Sequence, residues 1–301
     1  YMSFTSIVKN EISKLDTIET ENISELSAII RTIGNINNNI NITTENASVA
    51  RRIFNLVKEI YNINPKVIVR RGYNFNKNYI YILEINNKIN YIINDLSINT
   101  NIPKEYIYAD TDLKRAYLRG VFLGSASIND PKKSRYHLEF VVDNEEYASF
   151  VSSLLNEYNL NSKILKRENK YMIYMKEAEK IGDFLRIMGA INSLFYYEDI
   201  RIYRDHKNMT NRLNNCEQAN VDKMIETANK QINEINKIIS IGGLDLLDEK
   251  TKEAATYRLK YPEVSLTELS EIITLETGSS ITKSGLHHRF KKIEELASKI
   301  K

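Results

Sequence analysis

The chain reads as an α+β fold made by internal duplication, followed by a separate all-α segment. Three observations point there. The stretch Leu26-Ser27-Ala28-Ile29-Ile30-Arg31-Thr32-Ile33-Gly34-Asn35-Ile36 returns as Leu118-Arg119-Gly120-Val121-Phe122-Leu123-Gly124-Ser125-Ala126-Ser127-Ile128. Each copy is an apolar helix face with small residues at intervals, closed by a small-residue turn and an isoleucine. The elements after each copy then recur in one order, α-β-β-α-β-β, as two sheets around a central helix pair require. Past Asp205 the mixed pattern gives way to helical periodicity alone. The expected organisation is therefore a repeat domain over 2–205 (repeats about 22–95 and 113–190), a linker helix over 206–243 and a helical domain over 244–301.

In the first copy a polar turn, Asn37 to Asn39, leads to a strand at Asn39 to Thr43 and then a helix with Thr44 as N-cap. Ile53, Leu56, Val57 and Ile60 share its apolar face. The second copy has a loop from Asn129 to Ser134 and a strand from Tyr136 to Val142, with Leu138, Phe140 and Val142 on one side. Asp143, with Glu146 three residues on, reads as a capping box for a helix whose stripe is Phe150, Val151, Leu154 and Leu155. Both helices close alike, Tyr61-Asn62-Ile63-Asn64 against Tyr158-Asn159-Leu160-Asn161. Both run on into a basic strand, Lys66 to Arg71 and Lys163 to Arg167, then a turn and a Tyr-rich strand, Tyr79 to Ile82 and Tyr171 to Tyr174. The small residues of the repeated helix let two backbones approach closely, so the halves are expected to pack through these helices.

Composition narrows the class without naming a partner. With 301 residues the chain can hold two cores, and 42% hydrophobic with 27% charged residues is ordinary for a globular protein. A net charge of +3 is too small to identify a ligand, so the placement of charge carries the argument. The single cysteine, Cys216, excludes an intrachain disulfide and suits a reducing cytosol. No apolar run is long enough to span a bilayer, and the start shows no signal-peptide core, so a cytoplasmic protein without membrane contact is expected. Tyr1 precedes Met2 and takes no part in these patterns. The Asn-rich patch from Gly34 to Asn41 reads as a loop in an Asn-, Ile- and Lys-rich composition.

In the tail, Val221, Ile225, Ala228, Ile232, Ile235 and Ile239 recur at four-three spacing, predicting a helix from about Met209 to Ser240 that ends at Gly242-Gly243. A helix from Asp248 to Lys260 stops before Pro262. The next is capped by Ser265 with Glu268 and buries Leu266, Leu269, Ile272 and Ile273. A turn with Gly278 leads to a last helix, capped near Thr282 or Ser284, with Leu286, Phe290, Ile293 and Ala297 inward. Two short helices with a glycine-bearing connection, the second one basic, form a helix-turn-helix. Lys283, Arg289, Lys291 and Lys292, with His287 and His288, lie in that second helix with no acid among them. Ser284, His288 and Lys292 fall opposite the apolar stripe, flanked by Lys283, His287 and Lys291. A groove-reading helix uses its N-terminal residues on bases and nearby cations on phosphates. DNA binding is thus preferred over a merely solvated face.

Three passages resemble the WhiA sporulation-regulator family. They are the tail Ser265-Leu266-Thr267-Glu268-Leu269 with Lys283-Ser284-Gly285-Leu286-His287-His288-Arg289-Phe290-Lys291-Lys292-Ile293, the run Asn211-Arg212-Leu213-Asn214-Asn215-Cys216-Glu217-Gln218-Ala219-Asn220, and the start Met2-Ser3-Phe4 with Val8-Lys9-Asn10-Glu11. The resemblance covers essentially the whole chain. It implies that the repeated half is a degenerate LAGLIDADG homing-endonuclease-like domain and the tail a helix-turn-helix of the sigma-factor region 4 type. It implies a bacterial DNA-binding regulator tied to sporulation in some lineages and to cell division and chromosome segregation in others. His287 departs from the family, which often has another polar residue there, so base preference is not carried over.

Homing nucleases of this fold set one acid at the foot of each central helix, where the pair holds metal ions over the scissile phosphates. Those places are Ile33 and Ser125, and Asp130 lies in a loop without a counterpart in the first copy. No catalytic residue, metal or cofactor is therefore expected. Arg70, Arg71, Lys166, Arg167 and Lys170 on the strands, with Lys132, Lys133 and Arg135 in a loop, are candidate DNA backbone contacts, weighed evenly against plain solubility. His137 reads as an exposed strand residue and Cys216 as a core cysteine; Tyr79, Tyr81, Tyr171 and Tyr174 read as cross-strand packing. The expected function is a sequence-specific, nucleoid-associated transcriptional regulator. Its partners are double-stranded DNA and another transcription regulator or RNA polymerase. The alternative is a nucleoid-associated interaction protein acting in cell division without promoter control.

Overall fold

The computed structural model describes residues 2–72, 79–133 and 135–300, which form two compact units meeting between Arg204 and Asp205. The turn read before Tyr79 occupies residues 73–78 and lies outside the described residues, as does Ser134 at the end of the expected loop.

In the first unit, α1 (Phe4–Ile12) precedes the first repeat: α2 (Glu19–Ile33), β1 (Gly34–Ile36), β2 (Ile40–Thr44), α3 (Ala47–Tyr61), β3 (Lys66–Arg71), β4 (Tyr79–Ile85) and α4 (Ile89–Asp95). The second repeat follows as α5 (Thr111–Ser125), β5 (Ala126–Ile128), β6 (Leu138–Val142), α6 (Glu145–Glu157), β7 (Lys163–Arg167), β8 (Lys170–Met175) and α7 (Ala178–Ile187). The duplication is thus real and one helix longer than αββαββ, since α4 and α7 close the two copies. Both sheets are antiparallel with matching order, β1-β2-β4-β3 and β5-β6-β8-β7, so β3 and β7 are equivalent edge strands. Two expected caps are displaced by one or two residues. Asn46 caps α3, because Thr44 is still paired with Tyr81 in the sheet. Asn144, not Asp143, caps α6 by accepting the Tyr147 N–H, and the Glu146 carboxylate accepts from Asn101 instead of closing a capping box.

The halves meet through α2 and α5, the most extensive helix contact in the chain. A methyl group on Gly120 would overlap the Glu25 carbonyl oxygen, and one on Gly124 would overlap the Thr32 hydroxyl. Glycine is needed at both places by closeness and not by backbone twist. The sequence did not announce the charge sealed in the same interface. Glu25 is fully buried, takes the Arg119 Nε at 2.6 Å on one carboxylate oxygen and the Arg52 Nε at 2.8 Å on the other. Arg52 comes from α3 of the same half and Arg119 from α5 of the other, so one carboxylate ties three helices across the repeat.

The long helix α8 runs Ile191–Ile241, starting well before the expected Met209. Glu11 begins it: its carboxylate accepts the N–H groups of Asn192 and Ser193 at 2.7 and 2.9 Å, which otherwise lack intrahelical partners. The early turns were illegible because α8 buries different stripes at its two ends. Ser193 and Tyr197 are buried in the first unit, while Ala228, Gln231, Ile235 and Ile238 are buried in the second. Val221, Ile225 and Ile239 of the predicted stripe are exposed, and Gln231 takes an inward place because it accepts the Arg258 Nε–H at 3.0 Å.

The second unit completes its core with α9 (Glu249–Lys260), α10 (Leu266–Thr277) and α11 (Lys283–Ser298). Asp248 caps α9, and Ser265 with Glu268 forms the capping box of α10, as the sequence predicts. Leu269, Ile273, Leu286, Phe290, Ile293 and Ala297 pack with Ile235, Ile238, Ala254 and Ala255. Ile272 is only half-buried and Leu266 stays at the edge of this core.

Candidate nucleic-acid interface

The tail site is presented by α11. The chain leaves α10 at Gly278 with φ of 71°, a left-handed turn with open space around the glycine, so conformation and not crowding selects it. Thr282 caps α11 by accepting the Gly285 N–H at 3.1 Å. With Leu286, Phe290, Ile293 and Ala297 inward, Lys283, Ser284, His287, His288, Lys291 and Lys292 are all exposed. Among the described residues, no side-chain hydrogen bond or ion pair engages the first five. Lys292 stands 3.4 Å from Asp248, with both side chains more than half exposed, a pair that solvent leaves weak. Glu294, the first acid after this face, is tied to Lys230 of α8, which holds its carboxyl below the usual range, with smaller help from Lys291 and His287.

Arg289 stands apart from this set. Its guanidinium donates to Glu253 at 2.9 Å and to the Lys250 carbonyl at 3.1 Å, and its side chain is only 19% exposed. It fastens α11 to α9. Sequence position alone could not separate it from its neighbours, because its partners come from a different helix.

In the repeat unit the strand register sorts the candidate cations onto two faces. Arg70 is paired with Ile80 and Arg167 with Lys170, on the faces turned away from the helices; Arg71 and Lys166 alternate to the helix side. Lys66 and Lys163 share the outer faces with Arg70 and Arg167 and were not singled out from the sequence. Lys170 lies 3.7 Å from Asp143, and the Lys166 ammonium sits 5.7 Å from the centre of its cross-strand neighbour Tyr171. Lys132 stands over Tyr196 at 5.6 Å, while Lys133 and Arg135 are exposed in the turn between β5 and β6. Apolar side chains run through the outer faces: Ile68, Ile80 and Ile82 on one sheet, Val141, Leu165 and Met172 on the other. Met172 is buried although it belongs to neither core, so its shelter is that outer patch.

Ile33 and Ser125 end α2 and α5 where they pass into β1 and β5, and the Ser125 hydroxyl donates to the Val121 carbonyl at 3.0 Å. Neither offers a carboxylate, and among the described residues no three His, Cys, Asp or Glu side chains converge. Two expectations are corrected. Cys216 is exposed, as are the residues around it in α8. His137 is half-buried just before β6, bonded to Glu139 at 2.9 Å and stacked near Tyr174. Among the described residues, no helix is long and apolar enough to cross a membrane.

Comparison with known proteins agrees with these two units. Models of the WhiA N-terminal LAGLIDADG-like domain, the WhiA LAGLIDADG-like domain and the WhiA C-terminal HTH domain match residues 19–99, 114–207 and 210–297. A probable cell division protein WhiA from Oceanobacillus iheyensis is 42% identical, with the alignment covering 100% of this chain and 98% of the relative. Its counterpart in Enterococcus faecalis is 43% identical, covering 100% and 99%. The crystal structure of full-length DUF199/WhiA from Thermatoga maritima is similar with a TM-score of 0.61 and 25% identity, covering 100% of this chain and 99% of that one. With two LAGLIDADG-like repeats and a helix-turn-helix tail, the chain belongs to the WhiA family.

Proposed function

We propose that this chain is a non-catalytic, sequence-specific DNA-binding transcriptional regulator acting in bacterial cell division, chromosome segregation or sporulation, associated with the nucleoid in the cytoplasm. The observation that carries this reading is the exposed basic face on the first turns of α11, where among the described residues no side-chain hydrogen bond or ion pair engages Lys283, Ser284, His287, His288 or Lys291. In this reading Ser284, His287 and His288 meet base edges, and Lys283, Lys291 and Lys292 meet phosphates. Arg289 serves the reading by holding α11 on α9. Support for a role in division comes from the relatives, which are named probable cell division proteins.

In the repeat unit Arg70, Arg167 and Lys170 are proposed backbone contacts, with Lys132, Lys133 and Arg135 beside them. The apolar residues between the outer-face cations favour a second use of the same sheets, as a seat for another regulator or RNA polymerase. That feature keeps the alternative of a division-linked interaction protein in view. Cleavage has no place in this reading, since Ile33 and Ser125 supply no metal-holding carboxylate.

The test is fluorescence anisotropy of the full chain on a duplex enriched from a random-sequence library, with His288→Ala and Lys292→Ala. Each is expected to weaken binding by about tenfold, since one base or phosphate contact contributes on the order of 1–3 kcal/mol. Undiminished affinity in both would remove α11 as the reading element. Nicking of supercoiled plasmid in Mg²⁺ that co-purifies with the chain and vanishes in none of its contaminant-depleted fractions would overturn the non-catalytic part.

A further inference from the structure

Every residue of α8 from Asp205 to Lys223 is exposed, so about five helical turns in the second unit have no packed face at all. Such a stretch needs strong intrinsic helix formers or a partner. This one instead carries Asn208, Asn211, Asn214, Asn215 and Asn220, poor helix formers whose amides compete with the backbone. Among the described residues it contains no ion pair, and its local side-chain support is small: Gln218 donates to Asp222 at 2.8 Å, Thr210 to the His206 carbonyl at 3.0 Å, and Asn220 weakly to the Cys216 Sγ at 4.0 Å. A helix polar nearly all round and weakly supported by its own side chains either bridges two units through solvent or draws its stability from a partner.

Helical spacing divides the stretch into two faces. Lys207, Asn208, Asn211, Asn215 and Gln218 line one side, with Arg212 on its flank; Met209, Leu213 and Cys216 form a narrow stripe on the other. Between His206 and Cys216 the only formal charges are those of Lys207 and Arg212, and no acid interrupts them. Amide side chains on a helix are the groups that bond adenine in two places at once, and lysine and arginine complement phosphate or guanine. The apolar stripe is too short and too open at both ends, by Asn220 and His206, for a stable pairing with a second helix.

We propose that the amide face of α8, Lys207 to Gln218, is a second DNA-contacting element, and that double-stranded DNA is the partner that covers this bare helix. It rests on the DNA-binding reading of α11 and adds an independent contact to it. Arg212 and Lys207 engage the backbone, and Asn211 and Asn215, one turn apart, reach into the groove.

The full chain carrying Asn211→Ala and Asn215→Ala, and separately Arg212→Ala, is titrated on the duplex enriched for the unaltered protein and footprinted with hydroxyl radical. Alanine is the better helix former, so these changes strengthen α8 and a loss cannot come from melting; circular dichroism checks that. The double variant is expected to bind about tenfold more weakly or worse and to lose protection of one segment of the footprint. Arg212→Ala should lower the slope of log affinity against log salt by about one contact. Unchanged affinity and footprint in these variants, with His288→Ala still weakening binding, overturn this inference alone. If His288→Ala and Lys292→Ala are also silent, the reading of α11 falls with it. A Leu213→Glu variant that weakens binding while the asparagine variants do not would assign the opposite, apolar face to a protein partner, and would overturn it too.

Discussion

Two arginines are almost wholly buried, one in each unit, and they are accommodated in opposite ways. Arg119 meets charge with charge: Glu25 is buried beside it and shared with Arg52. Arg258, 1% exposed, has no carboxylate partner among the described residues. It donates to the Gln231 side chain at 3.0 Å, to the Val264 carbonyl at 2.7 Å and to the Tyr261 carbonyl at 3.3 Å, and its guanidinium faces the Phe290 ring at 5.7 Å. Burial accordingly pulls its pKa below the usual arginine range. The difference teaches what each arginine is for. In the repeat unit the ion group locks two halves whose facing helices are otherwise smooth and small-sided. In the tail unit a single cation gathers loose carbonyls from α8, the end of α9 and the approach to α10, under the helix that carries the basic face.

The contrast can be broken most severely at Glu25. Glu25→Ala leaves Arg52 and Arg119 with only the partly exposed Glu21, 4.0 Å from the Arg119 guanidinium, as counter-charge, and a loss of about 3–5 kcal/mol in urea unfolding is expected. A loss under about 1 kcal/mol would mean that water already reaches the group. Arg258→Met strands neutral acceptors, a milder injury of about 2–3 kcal/mol, and it should weaken DNA binding by loosening the seat of α11. If it costs as much as Glu25→Ala, the two arginines are not different in kind. Gly120→Ala sharpens the comparison from the packing side: its methyl group pushes α2 and α5 apart at the Glu25 carbonyl, with an expected cost of about 1–3 kcal/mol, whereas Gly285→Ala in α11 has ordinary room.

A last test concerns a half-buried cation. Lys9 stands 5.9 Å from the Phe122 ring centre, and burial lowers its pKa from 10.5 to about 8. Because the unfolded chain holds this proton more tightly, the penalty is complete below pH 8 and fades as pH rises toward 10.5. Stability measured against Lys9→Met should therefore rise through that window. A flat difference would place the ammonium in solvent.

Much of the fold was legible because it rests on local periodicity. The duplicated helix, the capping box at Ser265 and Glu268, and the stripe Leu286, Phe290, Ile293, Ala297 can all be counted along the chain, and the exposed face of α11 follows from that stripe. What failed depended on partners distant in sequence. Arg289 reads like its basic neighbours until Glu253 arrives from α9. Cys216 reads like a core residue until, among the described residues, its stretch of α8 proves exposed. The early turns of α8 look unhelical because the stripe there faces a different core, and Asn46 displaces Thr44 as a cap because Thr44 is claimed by its neighbour strand.

By itself, the order of residues determined the duplication, the helical tail, the basic turn-following helix and the absence of carboxylates at Ile33 and Ser125. These follow from side-chain type and spacing, which need no knowledge of what lies across the fold. Only the tertiary structure decided that Glu25 serves two arginines, that Arg258 serves none of the acids, that Arg70 and Arg71 point to opposite faces, and that the asparagine turns of α8 stand bare. Burial and pairing are properties of two surfaces meeting, and a sequence states only one of them at a time.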